Sequence, residues 1–200
     1  MAIKSIPDLE TRSFTPDEDI LLVHFVSKQK SKNIQELQKQ LRGLLNHSIW
    51  LMPPENLHIT ICEIVEPKYT PNKDELMKNL DTYSKSLDQI LNAPSFNVNF
   101  NQIEASQNAI ILKAIDNDEM ENLRNNIVEN LPLPKETKLP PKIIHISIAR
   151  FKEELSVNEI NLKLKDIKPN FIENIKELQL LNNTAPHLNS YSIHKKYELI

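Results

Sequence analysis

Residues 53–61 read PPENLHITI, and residues 140–148 read PPKIIHISI. Set over one another without a gap, both follow one pattern: Pro, Pro, two variable residues, an aliphatic, His, Ile, a hydroxyl residue, Ile. A histidine followed two positions later by Ser or Thr is common alone, arising for roughly one histidine in eight at average composition. A core role for the ring would account for one such motif. It does not account for two with matching flanks.

Before the first motif, ILLVHFV (20–26) predicts a strand and NIQELQKQLRGLL (33–45) a helix with Ile34, Leu37, Leu41, Leu44 and Leu45 on one face and an Asn33/Glu36 capping pair. After the strand NLHITICEIV come a helix from about Lys73 to Leu91 and the alternating strand SFNVNFNQI. The second half opens on the strand NAIILKAI. It continues with a helix over DNDEMENLRNNIVEN capped by Asp116, a proline-rich loop over 131–141, and the strand KIIHISIAR. A helix opened by the capping box Ser156 to Glu159 follows, then one strand over NIKELQLL and a last strand around YSIHKKYEL. Each half is thus a βαβαβ unit whose second strand carries the motif. The interval from Ile20 to His58 (38 residues) nearly equals that from Ala109 to His145 (36).

The expected fold is α/β (α+β): bilobal, two halves related by a pseudo-twofold axis, and a central groove between two antiparallel sheets. Residues 1–19 are an N-terminal extension, and 20–200 form a single domain with lobe halves of approximately 20–105 and 106–200.

Composition narrows the function. A net charge of −3 argues against a broad surface for duplex DNA while permitting a local basic pocket. The single glycine, Gly43, rules out glycine-rich phosphate loops. The single cysteine, Cys62, gives no internal disulfide, and the N-terminus shows no apolar leader, so a cytoplasmic protein with no membrane segment is expected. The six histidines lack the spacing of a zinc site, so no metal and no cofactor are expected.

Alternation along a strand puts His58 with Thr60, and His145 with Ser147, on one face about 7 Å apart. An approximate twofold axis would face the two imidazoles across one groove. That suits displacement at a phosphodiester: one ring takes a proton from the attacking oxygen and the other supplies one to the leaving oxygen, each role contributing about 10²- to 10⁴-fold. The hydroxyls would bond the nonbridging oxygens as charge develops there. Strict alternation places Cys62 on the same face as His58 and puts Arg150 on the face opposite His145.

The two His-x-Thr/Ser motifs, the approach IWLMPPENLHITI, the stretch IIHISIARF and the last strand with Tyr191 resemble the 2H phosphoesterase superfamily, over most of residues 20–199. That family includes 2′,3′-cyclic phosphodiesterases and 2′-5′ RNA ligase-like proteins. The resemblance implies that His58 and His145 are general acid and base, with His58 favoured as donor. It implies that Thr60 and Ser147 bind phosphate, and it adds Tyr191 and Arg150 as ligand-side residues. Lys113, Trp50 and Phe151 are further candidates for the groove. The implied activity is a metal-independent phosphodiesterase hydrolysing cyclic phosphates or short 2′-5′ or 3′-5′ RNA-type linkages, on a small nucleotide or a single-stranded RNA end, by a monomer. The alternative is a module that binds or sequesters a nucleotide or cyclic dinucleotide in the same groove without turnover.

Overall fold

At the centre of the protein the two motif strands touch through a single antiparallel pair, Ile59 against Ile146. This is a computed structural model, and it describes residues 19–65, 73–115, 117–133 and 143–200. The elements run β1 (Asp19–Phe25), α1 (Lys28–Leu45), β2 (Ile49–Leu51), β3 (His58–Val65), α2 (Lys73–Ile90), β4 (Phe96–Ala105), β5 (Ala109–Ala114), α3 (Asp118–Asn130), β6 (His145–Phe151), α4 (Val157–Leu164), β7 (Phe171–Ile175), β8 (Glu177–Ala185) and β9 (Ser190–Glu198).

Outward from the central pair, one flank runs β3-β1-β8-β9 and the other β6-β5-β4-β7, every neighbour antiparallel. This mirror order is the expected mixed α+β bilobal arrangement, with the two sheets joined into one through Ile59 and Ile146. The flanks do not divide at residue 105. β4 of the first half pairs with β5 and β7, while β8 and β9 of the second half build on β1. The halves exchange their third strands, which ties the flanks together.

NIKELQLL is not one strand. β7 pairs with β4 at one edge of the sheet, and after Lys176 the chain enters β8 beside β1. Buried Glu173 of β7 secures this crossing, accepting from Ser27 N and Oγ and bonding His24 Nε2 at 3.1 Å, while His24 Nδ1 donates to the Glu177 carbonyl.

The helices cover one face. Ile34 and Leu41 of α1, Leu80 and Leu87 of α2, Met120 and Ile127 of α3, and Ile160 and Leu164 of α4 join a continuous core with Ile59, Ile61, Ile146 and Ile148. α1 begins at Lys28, not at Asn33, after Ser27 and without a side-chain cap, so its polar first turn gave no boundary signal. The cap of α3 is Asn117, whose side chain accepts from Met120 N at 2.8 Å; Asp116 lies outside the described residues. Ser156 caps α4 as expected, accepting from Glu159 N. The extension 1–18, Pro140, Pro141 and most of the loop 131–141 also lie outside the described residues.

Candidate active site

The single pairing of Ile59 with Ile146 organises the site. One step along from it, antiparallel order sets His58 against Ser147 and Thr60 against His145.

The His58 ring is oriented by backbone two residues before it. His58 Nδ1 donates to the Asn56 carbonyl at 2.7 Å, which leaves Nε2 for proton exchange. His145 Nδ1 is buried without a bond of full hydrogen-bonding geometry, although the Ile143 backbone is close enough to favour the protonated ring. Burial is the largest influence on both. It pushes His58 down to about 4, with Arg150 and His145 adding to the depression and the Asn56 bond opposing it. His145 is also lowered, by burial and then by Arg150 and Arg124, and here Glu104 works in the opposite direction.

Arg150 faces the groove, contrary to strict alternation. Along β6, Ser147 pairs with Ile111 but Ala149 pairs with Ile110, so Ile148 is an extra residue with no partner on β5. This β-bulge shifts the alternation by one. Arg150 then pairs with Ala109, on the same face as Ile111 and Lys113, which oppose Ser147 and His145. Its Nη2 lies 3.4 Å from Ser147 Oγ, and its buried Nε has no hydrogen-bond partner. Burial lowers the guanidinium to about 10, so it remains cationic at neutral pH.

β3 has the same device. Thr60 pairs with Val23 and Cys62 with Leu22, leaving Ile61 extra. The bulge turns Cys62 away from His58 into the core, where it is fully buried and its thiol is pushed up to about 12, chiefly by burial. It turns Glu63, opposite Leu21, onto the groove face.

Tyr191 reaches the site by stacking on Phe25, with ring centroids 5.4 Å apart, and Phe25 stands edge-on to His58 at 6.3 Å. The turn between β8 and β9 forms a wall beside them. Leu188 packs with Leu21, Val23 and Leu181, Asn189 Oδ1 accepts from Asn56 Nδ2, and the His187 ring lies 6.2 Å from Trp50. Trp50 pairs with Arg150, so it shares the groove face, whereas Phe151 is wholly buried in the core. Lys113, opposite His145, lies 4.0 Å from Glu104. Among the described residues no three His, Cys, Asp or Glu side chains converge as metal ligands, and no helix is long and apolar enough to cross a membrane.

The sequence reading missed Gln38 and Arg124, which bond the backbone at the two bulges from the helical side. The available signal was a polar residue on an apolar helical stripe: Gln38 between Ile34 and Leu41, Arg124 between Met120 and Ile127.

No family model matches the chain, and no curated protein matches it. Its structure is similar to that of E. coli LigT complexed with ATP, with a TM-score of 0.61 and 16% identity over 91% of this chain and 97% of that one. It is similar to TT0787 of Thermus thermophilus, at 0.61 and 17% over 90% and 97%. A structure described as a phosphoesterase aligns at 0.60 and 15% over 91% and 98%. These proteins are members of the 2H phosphoesterase superfamily, and the likeness is one of fold.

Proposed function

We propose that the groove is the active site of a phosphodiesterase that opens 2′,3′-cyclic phosphates or cleaves short RNA-type linkages with two histidines. The observation that carries this reading is the junction at Ile59 and Ile146, which joins the two motif strands, with the Arg150 guanidinium near enough to both imidazoles to depress them and 3.4 Å from Ser147 Oγ. A phosphate there would take the unpartnered Arg150 Nε as donor, together with Thr60 and Ser147. Its negative charge would raise both depressed imidazoles towards the range where one is neutral and the other protonated.

For a cyclic phosphate, His58 Nε2 removes a proton from water as its oxygen bonds to phosphorus. The bond to the 2′ or 3′ oxygen breaks, and His145 protonates that oxygen. We assign the base to His58, reversing the preference drawn from the resemblance, because its pKa is depressed to about 4 and its Nδ1 proton is held by Asn56. His145 takes the acid role as the opposing ring; burial lowers it first, and the Ile143 backbone and Glu104 oppose that depression. Trp50, Tyr191 and Phe25 offer aromatic surface for a base at a strand end. LigT has been solved with 3′-AMP and with phosphate, ligands of the chemistry proposed for this groove.

The test is turnover of a panel of 2′,3′-cyclic nucleotides and of 2′-5′ and 3′-5′ dinucleotides by wild type, His58→Ala and His145→Ala, with and without chelator. Each substitution is expected to lower kcat by about 10²- to 10⁴-fold, with no effect of chelator. Unchanged turnover in either variant would overturn its assignment. Tight nucleotide binding by the wild type with no product after long incubation would replace the enzyme with a binding module.

A further inference from the structure

Two buried polar side chains approach the groove strands from the helical side, each at a bulge. Gln38 of α1 is 4% exposed, and its Nε2 donates to the Ile148 and Met52 carbonyls, both at 2.8 Å. Arg124 of α3 is 6% exposed and donates from Nη2 to the Thr60 carbonyl at 2.8 Å. Ile148 is the extra residue of the β6 bulge, and Thr60 immediately precedes the extra residue of β3.

The two contacts are reciprocal. α1 follows β1 yet reaches β6; α3 follows β5 yet reaches β3. The residues are also equivalents in the duplicated chain. Gln38 lies four after Ile34 and three before Leu41, as Arg124 lies four after Met120 and three before Ile127. Their offset, 124 − 38 = 86, matches the histidine offset, 145 − 58 = 87, to within one residue. A polar side chain on an apolar stripe is costly unless bonded. Each of these two is bonded to a backbone carbonyl at or next to a bulge. The Ile148 carbonyl also accepts from Met52 N at 3.0 Å, so it is held between α1 and the segment after β2.

We propose that Gln38 and Arg124 are reciprocal positioning residues: Gln38 holds the β6 bulge that turns Arg150 into the groove, and Arg124 holds the β3 bulge beside His58 and Thr60. The catalytic consequence rests on the phosphoesterase reading of the groove; the conformational one does not.

Gln38→Met keeps the volume and removes the donor, and it is compared with Arg150→Ala and with the double variant. By NMR, Gln38→Met is expected to shift the Arg150 Nε–H signal and the amides of Ala149 to Phe151 while leaving those of Ile61 and Cys62 in place, and Arg124→Met the reverse. Inorganic phosphate should bind about tenfold more weakly to Gln38→Met, as for loss of one charge-assisted contact, and the double variant should bind no more weakly than Arg150→Ala. Should Gln38→Met not fold, Gln38→Asn, which keeps the amide but shortens its reach, is expected to move the same β6 signals. A folded Gln38 variant with unmoved β6 signals would overturn the proposal. If the wild type neither binds phosphate nor turns over any cyclic nucleotide, the phosphoesterase reading fails while the NMR comparison still decides the positioning role.

Discussion

His58 should make the stability of the protein depend on pH in a way that one substitution removes. Its Nδ1 proton is committed to the Asn56 carbonyl, and protein surrounds the ring although the residue keeps some accessible surface. Burial, followed by Arg150 and His145, depresses it to about 4 from 6.5. An unfolded chain therefore takes up a proton between pH 6.5 and about 4 that the folded protein refuses. The stability tied to this group is complete above pH 6.5 and is lost as pH falls through 4. At 1.36 kcal/mol per unit the depression corresponds to about 3 kcal/mol, or about 2 once solvent at the groove mouth is allowed for. Urea denaturation of wild type and His58→Gln at pH 7.5 and pH 4 measures it. The difference between them should move in favour of His58→Gln by about 2 kcal/mol on acidification. Other titrating groups, Asp19 included, are present in both proteins and cancel to first order. A difference that stays flat across this range, or an imidazole NMR titration placing His58 at 6.5 or above, would refute the reasoning.

Asp19 works in the opposite sense. Burial, opposed by its bond to Asn183 and reinforced by Glu63, raises it to about 7, so its contribution is full below pH 3.8 and is lost as pH rises through 7. Asp19→Asn should therefore gain roughly 2–4 kcal/mol over wild type at pH 8 relative to pH 4, read from urea midpoints at the two pH values. Asn117→Ala removes the cap of α3 and should cost about 1 kcal/mol, seen as a lower urea midpoint with activity per folded molecule unchanged.

The elements were legible because their signals are local. Alternating apolar residues mark Phe96, Val98 and Phe100 as one buried face, helical spacing marks Met120, Leu123 and Ile127, and Ser156 with Glu159 marks the start of α4. The bulges were not legible because HITICEIV and HISIARF read as unbroken alternation. Gln38, which bonds the Ile148 carbonyl at the β6 bulge, lies 148 − 38 = 110 positions from it. For the same reason Arg150 and Cys62 were each assigned to the wrong face. The exchange of third strands was hidden too, since nothing in NIKELQLL tells that Lys176 separates one edge of the sheet from the strand beside β1.

The duplicated fold also limits how symmetric the site can be. Five residues after His145 the bulge presents Arg150; five residues after His58 the matching bulge presents Glu63. The backbone repeats while the charge reverses, so the groove is cationic along β6 and anionic along β3. A bound phosphate would therefore be held nearer Arg150 and Ser147. Ser147 lies across the junction from His58, which gives the two imidazoles different electrostatic surroundings despite their equivalent places. Twofold symmetry supplies the pair of rings; if they act as base and acid as proposed, the difference between them rests on their own neighbours, since Arg150 lowers both while Glu104 opposes that at His145 alone.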